Sequence, residues 1–384
     1  MIQSAEVLSI PLLNLGLLIG AFALLLGGAE IFTNSIEWFG HHLGVSESAT
    51  GSILAAVGTA LPETMIPVIA IVSVVVGRGD QAAADEIGVG AILGAPFMLA
   101  TIAMALIGGT VLYFGNRRAA GSLLEANVPS LRRDLSFFLA GYSFAVVAAF
   151  VPSRRLRVGI ALGLVVLYVV YVRQTLAAGQ LIKGEDLDRL HLKGLLTEGK
   201  RPFPAFGSAV VPVDEPPLWM VVTQTAFGLL VIVAGAHLFV TEVEFFSSEV
   251  LDVPAALVAL LLAPLATELP EKFNSGIWIS EGKDTLAVGN ITGAMVFQGT
   301  LPATLGILFT TWDLGVTWGT IGFLNALSAV LALLGGGMVL LRTQFMSTNR
   351  MRPIPFLVAG LLYVVFIVVV IYHVVTLGVA AASH

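Results

Sequence analysis

A chain of 384 residues that is 57% hydrophobic and only 11% charged, with a mean hydropathy of +0.93, is not a water-soluble domain, where about a quarter of residues are charged. Apolar runs of about 20 residues, the length that crosses bilayer hydrocarbon, recur along it. They exclude a soluble enzyme, a nucleic-acid binder and a disordered scaffold. The net charge of −6 sits mostly in connections, and the absence of cysteine excludes disulfides, thiolate metal sites and cysteine nucleophiles.

In chain order the apolar runs predict ten spans: 12–34, 45–76, 87–113, 135–151, 158–172, 218–240, 253–279, 286–309, 318–341 and 354–379. The first run is too long for a signal-peptide core, and the first ten residues hold no Lys or Arg, so no cleavable signal is expected. The fourth and fifth runs are short. Their separator, Pro152-Ser153-Arg154-Arg155-Leu156-Arg157, is too charged for lipid. One long polar stretch, 173–217, carries Glu185, Asp186, Asp188, Arg189, Lys193, Glu198, Lys200 and Arg201 and ends Pro-rich. It reads as a linker between two five-span halves, 1–172 and 218–384.

Positive charge orients the chain. With the N-terminus outside, the inner loops hold Arg117, Arg118, Arg132, Arg133, Arg173, Lys183, Arg189, Lys193, Lys200, Arg201, Lys283, Arg342, Arg350 and Arg352, most of the 19 basic residues. The outer loops hold Arg78, Arg154, Arg155 and Arg157. Both termini are therefore expected outside, and the linker in the cytoplasm, of a multi-pass protein of the cell (inner) membrane.

The halves resemble each other. Val57-Gly58-Thr59-Ala60-Leu61-Pro62-Glu63 aligns with Leu265-Ala266-Thr267-Glu268-Leu269-Pro270-Glu271. Upstream, Gly28-Ala29-Glu30-Ile31-Phe32 aligns with Gly235-Ala236-His237-Leu238-Phe239. Downstream, Val89-Gly90-Ala91-Ile92-Leu93-Gly94-Ala95 aligns with Val288-Gly289-Asn290-Ile291-Thr292-Gly293-Ala294. The copies start five spans apart. Five is odd, so the second enters the membrane in the opposite sense. That is the inverted-repeat plan of secondary transporters, with a site near the midplane.

The Pro-Glu pairs carry the chemistry. A proline inside a helix removes one hydrogen bond and frees carbonyl oxygens. In a membrane such a break survives only inside protein or beside a wet cavity. Each of Pro62 and Pro270 is followed by an acid, Glu63 and Glu271, and a carboxylate at membrane depth costs ~2.5–3.5 kcal/mol. Thr59 and Thr267 lie one helical turn earlier, on the same face as their Glu. Two carboxylates, two hydroxyls and freed carbonyls make an all-oxygen cage of the kind Ca²⁺ wants. The plainer reading of either Glu is a headgroup-level carboxylate, and of either Pro a kink.

These paired Thr-x-Leu-Pro-Glu segments, with Gly-rich stretches after them, resemble the alpha repeats of the Ca²⁺:cation antiporter superfamily, in particular its Na⁺/Ca²⁺ exchanger branch. The resemblance covers both halves and not the linker. It implies an all-α membrane fold of ten helices in two inverted five-helix repeats, exchange of Na⁺ for Ca²⁺ with no permanent cofactor, and alternating access by sliding of the first and sixth helices. It implies Thr59, Glu63, Thr267 and Glu271 as ligands. The chain also departs from the pattern. The serine after the threonine is Ala60 in one copy and Glu268 in the other. The third helix's Gly-Ser-Asn-x-x-Asn is Gly94-Ala95-Pro96-Phe97-Met98-Leu99, with no side-chain ligand left. In the eighth helix only Gln298, Asn290 and Thr292 are polar. The Na⁺ sites are thereby depleted.

Glu268 and Lys272 are i,i+4 in the favoured order and could pair, with Pro270 between them. A Lys ammonium could stand where a coupling Na⁺ otherwise sits, or Lys272 could be a snorkelling side chain. Glu63, Glu268, Glu271 and Lys272 are three acids and one base, which balances one divalent cation; protonation of one Glu could replace Na⁺ binding. The metal-ligand candidates are thus Glu63, Glu271, Thr59, Thr267, Glu268, Gln298 and Asn290. Lys272, Glu30 and His237 are candidates for coupling or gating. Asn274 and Ser275 could lend oxygens or pack helices. His41-His42 reads as an interfacial loop, and Glu242, Glu244, Glu249 and Asp252 as an outer acidic loop.

The expected function is a secondary antiporter exchanging a divalent cation, Ca²⁺ first, against Na⁺ or H⁺. A monovalent cation/H⁺ exchanger on the same fold is the alternative, and a cation channel a further one. No enzyme is expected: no intramembrane dyad, His-Glu-x-x-His or Ser/His set is present. No nucleotide-binding motif accompanies the spans. The expected partners are metal ions and the lipid bilayer, with no nucleic acid and no nucleotide.

Overall fold

The structure, a computed structural model, describes residues 2–60, 64, 81–178, 187–198, 215–245, 268–312 and 314–377. It is helical almost throughout. Among the described residues seven helices are long and apolar enough to cross a membrane: Leu13–His42, Val89–Tyr113, Arg154–Leu176, Leu218–Gly235, Asp284–Phe309, Gly322–Gln344 and Ile354–His373.

Helix α1 (Ile2–His42) is followed by α2, which begins at Glu47–Ala49, passes through a π-helical stretch, Thr50–Ala55, and ends at Ala56–Thr59. Ser46 starts α2 by accepting from the Ala49 N–H, a side-chain cap that satisfies one of the free amides of the first turn. Helix α3 spans Gln81–Met98, a second π-helical stretch, Leu99–Ala103, and Met104–Tyr113. Next come α4 (Val128–Ala148) and α5 (Arg154–Leu176). The short α6 (His191–Glu198) precedes α7 (Leu218–Phe245). The last elements are α8 (Leu269–Glu281), α9 (Asp284–Gln298), α10 (Leu301–Phe309), α11 (Ile321–Gln344) and α12 (Ile354–Leu377). Strands β1 (Leu124–Glu125) and β2 (Arg350–Met351) pair antiparallel and join two loops.

Several boundaries differ from those expected. The run 135–151 belongs to a helix that starts at Val128, because Asn127 caps the Ser130 N–H and Pro129 sits in the first turn, where its missing N–H costs nothing. The charged separator divides α4 from α5 as expected, but only its first residues are non-helical, and Arg154–Arg157 already form the first turn of α5. Part of the linker, 187–198, is packed structure. His41 and His42 form the last turn of α1 rather than a loop. Glu242 is helical and buried, accepting from Asn14 Nδ2 at 2.7 Å. Only 268–279 of the expected span 253–279 is described, and of the expected span 45–76 only 45–60 and Thr64 are.

The two most buried spans are Val89–Tyr113 and Asp284–Phe309, at 78% and 83%, against 17% to 50% for the other five. Both depart from regular α-helix mid-span, one in the π-helical stretch Leu99–Ala103 and the other between Gln298 and Leu301. Their surroundings also correspond. α4 packs on α9 and α11 on α3; α5 packs on α10 and α12 on the second part of α3. A Cβ at Gly141 of α4 would meet Thr300 at 2.7 Å, and one at Gly335 of α11 would meet the Ala100 carbonyl at 2.5 Å. In both cases only glycine lets the helix approach the interrupted span so closely.

One end of the bundle gathers the loops that the span count puts on one side. Arg118 pairs with Asp284, and the Glu125 N–H donates to Asp284 Oδ2 at 2.7 Å. Arg350 lies 3.2 Å from Glu125. Lys283 lies 2.9 Å from Glu37 of α1. At the other end Arg157 donates to the Thr311 carbonyl, and the Gly319 N–H donates to His373 Nε2.

Candidate cation site

Helix α8 is built to place polar groups inward. Glu268 precedes its first turn, Pro270 lies in that turn, and Gly282, at φ 80°, ends it. Glu268 and Glu271 are each 1% exposed, and Asn274 and Ser275 are fully buried. α9 brings Asn290 to the same place and α2 brings Thr59, both fully buried.

Asn290 is the hub. Its Nδ2 donates to the Glu271 carbonyl at 3.1 Å and lies 3.2 Å from Ser275 Oγ, which itself donates to the Ala287 carbonyl. Its Oδ1 lies 3.5 Å from Thr59 Oγ1. The Thr59 hydroxyl donates to the Ala55 carbonyl at 3.0 Å and faces the Glu271 carboxylate. Gln298 Nε2 reaches the Ala60 carbonyl at 3.5 Å. Lys272 Nζ lies 2.9 Å from Glu268 Oε2, so Pro270 does not prevent the pairing: a proline in the first turn leaves the i,i+4 geometry intact.

Four buried atoms here have no partner among the described residues: Glu268 Oε1, Glu271 Oε2, Asn274 Oδ1 and Asn274 Nδ2. A buried polar atom left unmade costs about 1–3 kcal/mol. All four lie on the first two turns at the start of α8, and such orphans are groups that a bound cation or water would satisfy. The donors are carboxylate, hydroxyl and amide oxygens, which suit hard cations. Among the described residues no three of His, Cys, Asp and Glu gather into a metal-holding group.

Glu63 and Thr267 lie outside the described residues. Glu271, Thr59 and Asn290 come together; Gln298 reaches the backbone next to Thr59, and Glu268 and Lys272 pair with each other at the start of α8. Two expected residues lie apart from these. Glu30 is half-buried on α1, 3.5 Å from His191 of α6, and His237 is exposed on α7.

A second polar centre escaped the sequence reading. Asp134 of α4 is fully buried. Its Oδ2 accepts from Ser52 Oγ at 2.7 Å and from Thr292 Oγ1 at 2.8 Å, and its Oδ1 lies 3.0 Å from Arg133. A cavity of ≈ 10 Å³ beside it is lined by Ser48, Asn127, Ser130 and Thr285 among others, about the room one water needs. Asp134 follows Arg132 and Arg133, so it read as loop. The Asn127-x-Pro129 start signal would have placed it inside the helix.

Fold and site together define a multi-pass membrane protein with a polar, oxygen-lined centre. The family model described as sodium/calcium exchanger protein matches residues 13–176 and 220–375, and the chain belongs to that family of cation antiporters, which are transporters and not enzymes. The "Putative antiporter CaxA" of Alkalimonas amylolytica is 25% identical over 284 residues, covering 74% of this chain and 76% of that protein. Solved structures of the sodium-calcium exchanger NCX_Mj share the fold. One, soaked with 2.5 mM Na⁺ and 0.1 mM Ca²⁺, has a TM-score of 0.66 at 17% identity over 93% of this chain and 98% of the other. Another, soaked with 2.5 mM Na⁺ and 10 mM Sr²⁺, has a TM-score of 0.65 at 18% identity, covering 93% and 99%. At such identities the likeness is one of fold.

Proposed function

We propose that this protein exchanges a divalent cation, Ca²⁺ first, against Na⁺ or H⁺ by alternating access. The observation that carries the reading is the buried meeting of Glu271, Thr59 and Asn290, with one carboxylate oxygen of Glu271 left unpartnered. A buried carboxylate is retained at such a cost where it binds. Glu63 and Thr267, which align with Glu271 and Thr59 in the sequence, are proposed as further ligands. Gln298 stands at the edge of this group.

The architecture proposed is ten spans in two inverted halves, 1–172 and 218–384, joined by the cytoplasmic linker 173–217, with both termini outside the cell membrane. The mid-span interruptions and the exchanged packing of α4 on α9 and α11 on α3 support it. Glu30 and His237 are left with gating roles at the ends of α1 and α7.

One observation favours a second reading. Lys272 takes up Glu268, and the third span lacks side-chain ligands, so fewer charged oxygens face the cargo; a monovalent cation/H⁺ exchanger would need fewer. Proteoliposomes test both. Uptake of radiolabelled Ca²⁺ should follow an imposed Na⁺ or pH gradient, compete with unlabelled Ca²⁺, and vanish in Glu271→Gln. Counterflow of Na⁺ with H⁺ that ignores Ca²⁺ would replace the first reading with the second. Unsaturable, gradient-independent flux would overturn both.

A further inference from the structure

The second half of the repeat contains a charge pair that the first half lacks. Ala60 stands where Glu268 stands, and Thr64 where Lys272 stands. Thr64 spends its hydroxyl on its own helix, donating to the Ala60 carbonyl at 2.8 Å. The acid and the base therefore occur together in one copy and are both missing from the other. An acid added alone would demand a cation. An acid added with a lysine one turn later arrives with its own.

The geometry fits that reading. Lys272 Nζ is 2.9 Å from Glu268 Oε2, with the two side chains 6% and 1% exposed. The Lys272 N–H donates to the Glu268 carbonyl at 3.3 Å, so the helix backbone itself sets the reach of the pair. An ammonium is a compact monovalent cation, the charge an alkali ion would present to the same carboxylate. Glu271, one residue from Lys272, keeps Oε2 without a partner. The two acids at the start of α8 are thus unequal: each keeps one oxygen without a partner, but only Glu268 has a cation on the other.

We infer that Lys272 is a tethered monovalent cation: its ammonium permanently holds the place at Glu268 that a bound alkali ion would take, leaving Glu271 as the acid of α8 that meets the cargo. This deepens the exchanger reading and rests on it for the word cargo. It removes Glu268 from the cargo's ligands.

Thermal unfolding of the purified full chain in detergent tests it, with NaCl, KCl or choline chloride at equal ionic strength and with or without CaCl₂. In wild type no alkali effect should arise at Glu268: any rise that Na⁺ or K⁺ gives over choline through a counter-ion site should persist in Glu268→Gln. Lys272→Gln should gain a saturable rise in midpoint with Na⁺ or K⁺ over choline, because Glu268 then recruits an ion from solution. The double variant Glu268→Gln/Lys272→Met buries no charge, which keeps the fold testable. It should lose the alkali dependence that Lys272→Gln gained and retain the wild-type shift with Ca²⁺. A wild-type alkali shift abolished by Glu268→Gln would overturn the inference. So would a Lys272→Gln protein indifferent to alkali ions, or loss of the Ca²⁺ shift in the double variant. If wild type itself shows no shift with any divalent cation, the exchanger reading fails, while the alkali comparison between wild type and Lys272→Gln still decides the role of Lys272.

Discussion

Ser52 donates its hydroxyl to Asp134 Oδ2 at 2.7 Å, across the interface of α2 and α4. Thr292 of α9 donates to the same oxygen. One oxygen thus fastens the helix that carries Thr59 and the helix that carries Asn290. Asp134→Ala leaves two hydroxyls and Arg133 without their partner, and breaking a buried pair costs ~3–5 kcal/mol. The thermal midpoint in detergent should fall steeply for Asp134→Ala and less for Asp134→Asn, which keeps an acceptor oxygen. Ser52→Ala and Thr292→Val should each cost about 1 kcal/mol. Their sum should not equal the double variant, because they share an acceptor.

Lys283, in the turn between α8 and α9, ties α1 to the bundle. It lies 2.9 Å from Glu37, 2.9 Å from Glu281 and 3.6 Å from Asp188, while Trp278 Nε1 donates to Glu37 at 2.8 Å. Burial pulls the lysine's pKa down, but the Glu37 and Glu281 carboxylates outweigh it and hold it above the ordinary value. A group so raised contributes stability that is fully present below its unfolded pKa and is lost only as pH rises through the folded one. Lys283→Met should therefore lower the midpoint by an amount that stays constant from neutral to mildly alkaline pH. A deficit that shrinks between those limits would contradict the pairing.

Gly293 packs its α-carbon against the backbone of Ser52 in the π-helical stretch, where a Cβ would overlap the Ser52 carbonyl oxygen. Gly293→Ala should push α9 off α2 and disturb Asn290 three residues away. Overpacking of this kind costs about 1–3 kcal/mol, read as a lower midpoint and a weaker Ca²⁺ shift. Gly276 of α8 has nothing within 4 Å of its missing Cβ, so Gly276→Ala is the control. It should be neutral or stabilising by about 0.5–1 kcal/mol.

Residues 187–198 strap α1 to α7. The Trp38 indole donates to the Asp188 carbonyl at 2.7 Å, the Leu192 N–H donates to Gln224 Oε1 at 2.7 Å, and Leu190 is fully buried beside Trp38 and Val221. Limited proteolysis should spare 187–198 in the wild type and cut it in Trp38→Ala, because local opening follows the loss of buried contact. Equal cleavage in both proteins would show that the strap is not held by these contacts.

Composition and run length were enough to establish a membrane protein, because a bilayer imposes one length and one solvent on every span. The spacing of Glu268 and Lys272 was enough to propose their pairing, since i,i+4 neighbours meet whatever surrounds them. The repeat likewise placed Thr59 and Asn290 in helices that do meet. Facing decided the rest. An acid near a helix end reads the same whether it points at headgroups or inward, and only the packing of α9 against both α2 and α4 turned Asp134 into a buried clamp. Likewise Glu30 and His237 hold equivalent repeat positions, yet one faces α6 and the other is exposed. The partners that separate such cases lie far away in the chain, 158 residues for Thr292 and Asp134, and no local periodicity carries information across that distance.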